Sequence, residues 1–402
     1  MLFLKLFIGL IPALAAYGQL AVRGEMVYTM AGEPVPDGVV LIRDGRIERV
    51  GPASQVQVPN GYRVLQAKVV TPGLIDAHTV VGLTGYLNQE DDQEQVERSA
   101  PVQPELRAID AYDSRERLVE YVRGFGVTTI HTGHGPGILV SGQTMIVKTS
   151  EDTPASAAIV PSAMVAATLG GDAKAEAGKS PGTRSKMIAM LRSELIKAQE
   201  YRDKRGEQES GKENQARDLK TEAFVKVIAG ELPLLVTVHK ANDILSAVRL
   251  AKEFNLRLVL DGAAEAHMVL DEIKASGYPV IIHPTMYRSG GETENLSMET
   301  ASKLREKGIP FALQSGFESY VPKTRIVLFE AGVAAANGLG LENALRSITI
   351  DAARLLGIEK RVGSLEPGKD ADIALYDGDP FEYTSHCIGV VINGKVVSEK
   401  SN

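Results

Sequence analysis

Five of the seven histidines in this chain close short apolar runs, where a side chain can act on a bound molecule. His78 ends VVTPGLIDAH with Asp76 two residues before it, and His131 and His134 bracket the start of HTGHGPG. His239 ends LLVTVH, and His283 ends PVIIH. β-Branched runs that finish in a polar residue read as buried parallel strands, whose carboxyl ends carry the chemistry of α/β proteins. Imidazoles gathered there, with Asp261 or Glu318 as a carboxylate, could hold a divalent ion and leave a position open for water. They could equally line a metal-free pocket or be loop histidines bonded to backbone, because the spacing of His131 and His134 is weakly specific.

Other candidates carry less. Gly133, Gly135 and Gly137 could turn backbone N–H groups toward an anion, although glycines at such a place more often serve tight turns. Ser141 and Ser315 have no Gly-x-Ser-x-Gly elbow and no ordered Ser–His–Asp set around them. His267, in a helical stretch, and His386, near the C-terminal strands, are expected to be structural or exposed.

The elements that must position these side chains alternate. Candidate strands are Gly126–Thr132, Thr144–Thr149, Leu234–His239, Arg257–Gly262, Pro279–Pro284 and Pro310–Ser315, with helical stretches at Asn242–Phe254 and Met298–Lys307. Strand and helix in turn over this length is what an α/β fold of the (β/α)8 TIM-like barrel type requires. An open doubly wound sheet would also alternate, but no Gly-x-Gly-x-x-Gly follows a first strand. At the chain ends the pattern changes to short strands with glycine turns at Arg43-Asp44-Gly45 and at Gly394, as expected of a small β domain built from both termini. The acidic stretch Asn88–Ser99 reads as a surface excursion. Ser185–Tyr201 reads as a helix whose tail, YRDKRGEQESGKENQARD, is a solvated, mobile excursion.

Composition narrows the function classes. With 44 Lys+Arg against 51 Asp+Glu and a net charge of -7, the chain has no general attraction for nucleic acid. One cysteine, Cys387, excludes a disulfide framework and thiolate metal clusters. The first sixteen residues, MLFLKLFIGLIPALAA, have the form of a secretory signal peptide, so the protein is expected to be exported (periplasmic or secreted) with no stable membrane span.

The segment Val69–Val80, VVTPGLIDAHTV, resembles the opening strand of the amidohydrolase superfamily, in which Pro-Gly-Leu-Ile-Asp-x-His-x-His binds the first metal. Pro101–Asp113, Gly126–Thr149, Pro181–Arg202 and Val238–Phe254 are similar to the imidazolonepropionase-like branch, and GSLEPGKDADI resembles the re-entry into its composite β-sandwich. The N-terminal pattern gives a signal peptide over 1–18, and the resemblance implies an amidohydrolase-like barrel over 71–358 and a β-sandwich domain from 19–70 and 359–402. It also implies a metal-dependent hydrolase of carbon–nitrogen bonds other than peptide bonds. The family's ligands would be two histidines of the first strand and one from each of two middle strands, with an aspartate ending the last strand as ligand and base.

Residue by residue, this chain departs from that set. His78 matches the first histidine, but Val80 stands at the second. Thr237 and Gly262 stand at the middle-strand positions, and Gly316 replaces the aspartate. Lys148, where a bridging carboxylated lysine could be proposed, and Lys226 in a helical stretch are weaker candidates. The sequence therefore favours a protein that has lost metal-dependent hydrolysis, with no cofactor and a small-molecule ligand or a partner at the barrel mouth. The competing expectation is an active hydrolase, of a cyclic amide for example, with zinc or another divalent metal held by His78, His131, His134 and His239. Family barrels often dimerise, so a homodimer or a pairing with an intact paralogue is a further expectation.

Overall fold

Both ends of the chain meet in one sheet. The computed structural model describes residues 19–87, 89–150, 153–208, 216–283, 289–317 and 326–399. The expected signal peptide over residues 1–18 and the candidate Glu318 lie outside the described residues. The first strands are β1 (Leu20–Val27), β2 (Val35–Arg43), β3 (Arg46–Pro52) and β4 (Arg63–Pro72). The middle of the chain adds β5 (Leu74–Thr79), β6 (Val127–Thr132), β7 (Val140–Gln143), β8 (Met145–Lys148) and β9 (Ala158–Val160). It continues with β10 (Val165–Thr168), β11 (Leu234–Val238), β12 (Leu258–Gly262), β13 (Val280–Ile282) and β14 (Phe311–Leu313). The last strands are β15 (Ile373–Tyr376), β16 (Cys387–Ile392) and β17 (Lys395–Glu399).

The terminal strands form one seven-stranded sheet in the order β17-β16-β15-β4-β1-β2-β3. The turns Asp44-Gly45 and Asn393-Gly394 all have positive φ, the conformation a two-residue hairpin needs to match strand twist. Alternation along β1 and β2 sends Leu20, Val22, Val40 and Ile42 into one apolar cluster, and Ala21, Val39 and Leu41 into another. What the sequence suggested as a sandwich is thus one continuous sheet with an apolar cluster on each face.

The middle of the chain is TIM-barrel-like with mixed α and β content. Strands β11 to β14 run parallel, β10 joins them beside β11, and β5 pairs in parallel with β6. The two barrel sheets approach at both seams. His78 O accepts from Gly316 N–H at 3.3 Å, and Met164 O accepts from Thr144 N–H at 2.9 Å. Strict alternation fails on one side, because β8 is antiparallel to β6 and β7 antiparallel to β10. This reversal carries Lys148, the last residue of β8, back to the level of Thr129, away from the mouth.

The helices follow local rules. The helix Leu219–Ile228 starts on Asp218, whose carboxylate accepts from the N–H groups of Lys220 and Thr221. The helix Ala241–Glu253 buries Ile244, Ala247, Val248 and Ala251 along one stripe against the barrel. The helix Arg184–Gln208 corrects the expectation of an excursion beginning at Tyr201. Tyr201 is buried with its hydroxyl on Glu222, and Arg205 and Arg217 pair with the same carboxylate. That shared anchor continues the helix through a stretch whose charge alone suggested solvation. Residues 209–215 of the same expected excursion lie outside the described residues. Among the described residues, no helix is long and apolar enough to cross a membrane.

Candidate functional site

Period-two geometry builds the site. Ile75, Leu235, Val259, Ile281 and Ala312 share an apolar cluster, with Ala352 and Ala353 of the helix Ile350–Leu355 beside them. Two residues further along each strand a side chain faces the same way, so Ala77, Thr237, Asp261, His283 and Gln314 make the next layer toward the mouth. Four of these five line a cavity of about 210 Å³, together with His78, His239, Arg98 and Asp172.

Asp261 is the centre of this layer. Its Oδ1 accepts from His78 Nδ1–H at 3.0 Å and from Gln314 Nε2–H at 2.7 Å, and its Oδ2 accepts from the Thr237 hydroxyl at 2.7 Å. Burial alone would push this carboxyl up, but the His78 charge and the three donors hold it below the ordinary aspartate range. Burial would likewise push His78 down, and the Asp261 charge and hydrogen bond outweigh it, so the imidazole titrates above its usual value. With Nδ1 committed to Asp261, the other nitrogen of His78, Nε2, is buried without a partner among the described residues. Behind this pair, Asp76 accepts from the backbone N–H of Ser315 at 3.0 Å and of His78 at 3.3 Å. Burial pushes its carboxyl up to about 7.

The structure separates the candidate histidines into two groups. His78, His239 and His283 line the cavity; His131 and His134 do not. His131 donates from Nδ1 to Ala77 O at 2.7 Å and accepts at Nε2 from the Thr144 hydroxyl at 2.7 Å, which leaves no lone pair for an ion. Its ring lies 5.4 Å from that of His78, so it is part of the packing behind the site. His134 is packed against the backbone of Gly142. The expected cluster of His78, His131, His134 and His239 is therefore not formed. Among the described residues, no three His, Cys, Asp or Glu side chains stand together as a set that could hold a metal.

Burial pushes His131 down to about 3 and His134 down to about 4. An imidazole depressed in the fold binds more protons when unfolded, so both groups make stability fall as pH drops below the ordinary histidine value. In a ¹⁵N spectrum of the histidine side chains, His131 is expected to keep the neutral Nδ1–H pattern while His78 titrates. A His131 resonance that turned cationic near the usual imidazole range would contradict the buried bonding described above.

Other sequence candidates resolve quickly. Lys148 Nζ lies 2.8 Å from Asp370 and 3.0 Å from Asp372 and also bonds Asn393, so it is an ammonium under the terminal sheet; a carbamate there would face two carboxylates. Lys226 is exposed, Ser315 bonds Thr79, and Ser141 is buried in β7. His267 bonds Thr300 at 3.4 Å, and His386 is exposed beside Asp377. Gly135 gives its N–H to Gln95 O, and a Cβ on Gly133 would lie 2.5 Å from Thr144, so these glycines serve close packing. The excursion after β5 is more than surface. Gln95 is buried and Arg98 reaches the cavity, contacts its local composition did not signal.

Comparison with known proteins places the frame. The model of the amidohydrolase family matches residues 300–398. The imidazolonepropionase of Rhizorhabdus wittichii is 26% identical over 88% of this chain and 92% of its own. The amidohydrolase tasK of Hapsidospora irregularis is 25% identical over 93% of this chain, which spans only 42% of that relative. The crystal structure of an amidohydrolase from Thermotoga maritima MSB8 superposes with a TM-score of 0.89 at 28% identity, covering 95% of this chain and 100% of that one. Together these likenesses support the amidohydrolase superfamily, in its imidazolonepropionase-like branch.

Members of this superfamily typically depend on a metal ion, and the residues present do not fit one. Valine and glycine side chains offer no lone pair at positions 80, 262 and 316, and the Thr237 hydroxyl is turned to Asp261. The space where two missing ligands would stand is filled. A Cβ on Gly262 would lie 2.6 Å from His239 Cε1, and one on Gly316 would lie 1.8 Å from His283 Cε1. The imidazoles of His239 and His283, from the strands beside β12 and β14, occupy that space.

Proposed function

We propose that this superfamily member has lost metal-dependent hydrolysis and binds a small molecule at the barrel mouth without a metal. The observation that carries the reading is the Asp261–His78 pair. Asp261 meets three donors, and it holds the imidazole of a cavity-lining residue, His78, whose remaining nitrogen is buried without a partner among the described residues. A buried nitrogen left without a partner costs about 1–3 kcal/mol, a cost that a bound ligand atom would remove. A cavity of about 210 Å³ lies below the range of drug-sized pockets, which favours a compact ligand.

Removing a single outer partner of a metal ligand typically weakens binding about 10–100-fold, so loss of most direct ligands should end binding at ordinary concentrations. Elemental analysis of protein purified without chelator, and again after excess zinc and gel filtration, is expected to find far less than one ion per chain. Stoichiometric metal, with turnover of a cyclic amide that stops on chelation, would replace this reading with that of an active hydrolase.

A further inference from the structure

We propose that a groove between the barrel and the terminal sheet binds a small hydrophobic organic cation of the quaternary ammonium class. The groove shares no lining residue with the mouth cavity, so the inference stands apart from the metal-free reading. Four aromatic side chains are exposed among the described residues, Tyr86, Tyr121, Phe329 and Tyr383, and the last three line this groove. Single apolar side chains on a surface need no explanation, but aromatic ones gathered round a hollow mark a contact site. The helix Val327–Ala334 forms the floor, with Phe329 and Val333 four residues apart on its outer face. Phe381, from the connection between β15 and β16, packs over Gly332, where a Cβ would meet its ring at 3.7 Å. On the other side Tyr121, Phe125 and Phe329 stand edge to face in a row, with ring centroids 5.2 and 5.5 Å apart. Beneath them the buried Tyr376 of β15 donates to Phe125 O at 3.0 Å, tying the terminal sheet to the barrel. The groove holds about 780 Å³, within the range of small-molecule sites, which occur preferentially at junctions between structural units.

Charge selects the occupant. Glu120, Glu382 and His386 line the groove, and no Lys or Arg does. His386 stands 3.4 Å from Asp377, while Glu120 and Glu382 meet no cation among the described residues. Arg123, on the helix of Glu120, is buried and turned to Thr149 O. In the cleft beyond Glu120, Arg115 is offset by Glu116. The balance along the groove is therefore negative whether or not His386 is protonated. An anion is repelled there, and a neutral molecule gains apolar contact alone. A cation with an apolar body gains the contact, the two carboxylates and the negative faces of the rings. A second copy docked across a two-fold axis would press Glu120 and Glu382 against the same carboxylates of its partner, which opposes self-association through this face.

Benzyltrimethylammonium, with neopentylbenzene as its uncharged carbon isostere, tests this in the full chain by calorimetry and aromatic ¹H–¹³C spectra. The cation should bind saturably, shift the ring resonances of Tyr121, Phe329 and Tyr383, and lose affinity as salt is raised. The isostere should bind several-fold more weakly. Glu120→Gln/Glu382→Gln should weaken the cation several-fold, leave the isostere unchanged and keep the urea midpoint, because both side chains are exposed. Phe329→Ala should weaken both ligands. Isostere binding as tight as the cation's, cation binding unmoved by the double glutamine variant, or no saturation by the cation at millimolar concentration would each overturn the assignment. Sedimentation that shows a dimer dissociated by Phe329→Glu would overturn it as well, and would give the groove to a second copy.

Discussion

Lys148→Met is expected to lower the stability of the protein by about 3–5 kcal/mol, because it removes the cation from a buried ionic cluster and leaves a carboxylate uncompensated. Lys148 is 2% exposed and reaches from the barrel strand β8 to Asp370, Asp372 and Asn393 of the terminal sheet region. The two aspartates do not depend on it equally. Asp370 also meets Arg361 at 2.8 Å and Arg46 at 3.3 Å, whereas Asp372 has a backbone N–H from Asn393 as its other described partner. Burial pushes the Asp372 carboxyl up even with the lysine present, so its charge is the one left stranded. The double variant Lys148→Met/Asp372→Asn should regain much of the loss, since a neutral amide is far cheaper to bury than an unpaired carboxylate. A urea midpoint read at unchanged slope measures both. A single variant within about 1 kcal/mol of the parent would mean that water reaches the cluster and that the two sheets are held by their apolar contacts alone.

The same residue shows where sequence reasoning succeeds and where it stops. Six barrel strands were legible within a residue or two, from Val127–Thr132 to Phe311–Leu313, because each is an apolar run bounded by turn residues. Val140–Gln143, Ala158–Val160 and Val165–Thr168 were not, being three or four residues long and rich in serine, glycine or alanine. Missing β7 conceals that β8 runs backward, and a strand read in the wrong direction puts its last residue at the wrong end. Lys148 therefore looked like a residue of the mouth, although it belongs to the opposite end.

The site was legible by position and not by partner. The resemblance marks positions 78, 80, 237, 262 and 316, and the structure brings 78, 80, 237, 262 and 316 to one cavity. What sequence spacing does not contain is which lone pair is already engaged. His131 and His134 look like a ligand pair from their spacing, yet His131 is bonded to Ala77, 54 residues before it, and to Thr144, 13 after it. The bond that organises the cavity joins residues 183 apart, His78 and Asp261, and nothing local in either segment announces it.

Gly316→Asp, which restores the family's aspartate at its own position, is expected to destabilise the protein and to restore neither metal binding nor hydrolysis. The added Cβ would fall 1.8–2.2 Å from three atoms of the His283 ring, well inside van der Waals contact. The backbone there has φ +75°, where a side chain is strained irrespective of space. Overpacking of a filled interior and a left-handed residue together cost about 2–5 kcal/mol. Gly316→Ala separates the causes, since it brings the same crowding and the same φ without a carboxylate. Pairing Gly316→Asp with His283→Ala should recover the part of the loss due to crowding and keep the part due to φ. Neither variant should take up zinc, because Val80 and Gly262 still lack donors and Thr237 remains turned to Asp261. Zinc uptake by the single variant would show instead that His283 yields readily and that the metal site is one substitution from function. The imidazole ring lying over Gly316 argues against that: once a neighbouring side chain fills the space left by a lost ligand, recovering the ligand requires displacing the neighbour as well.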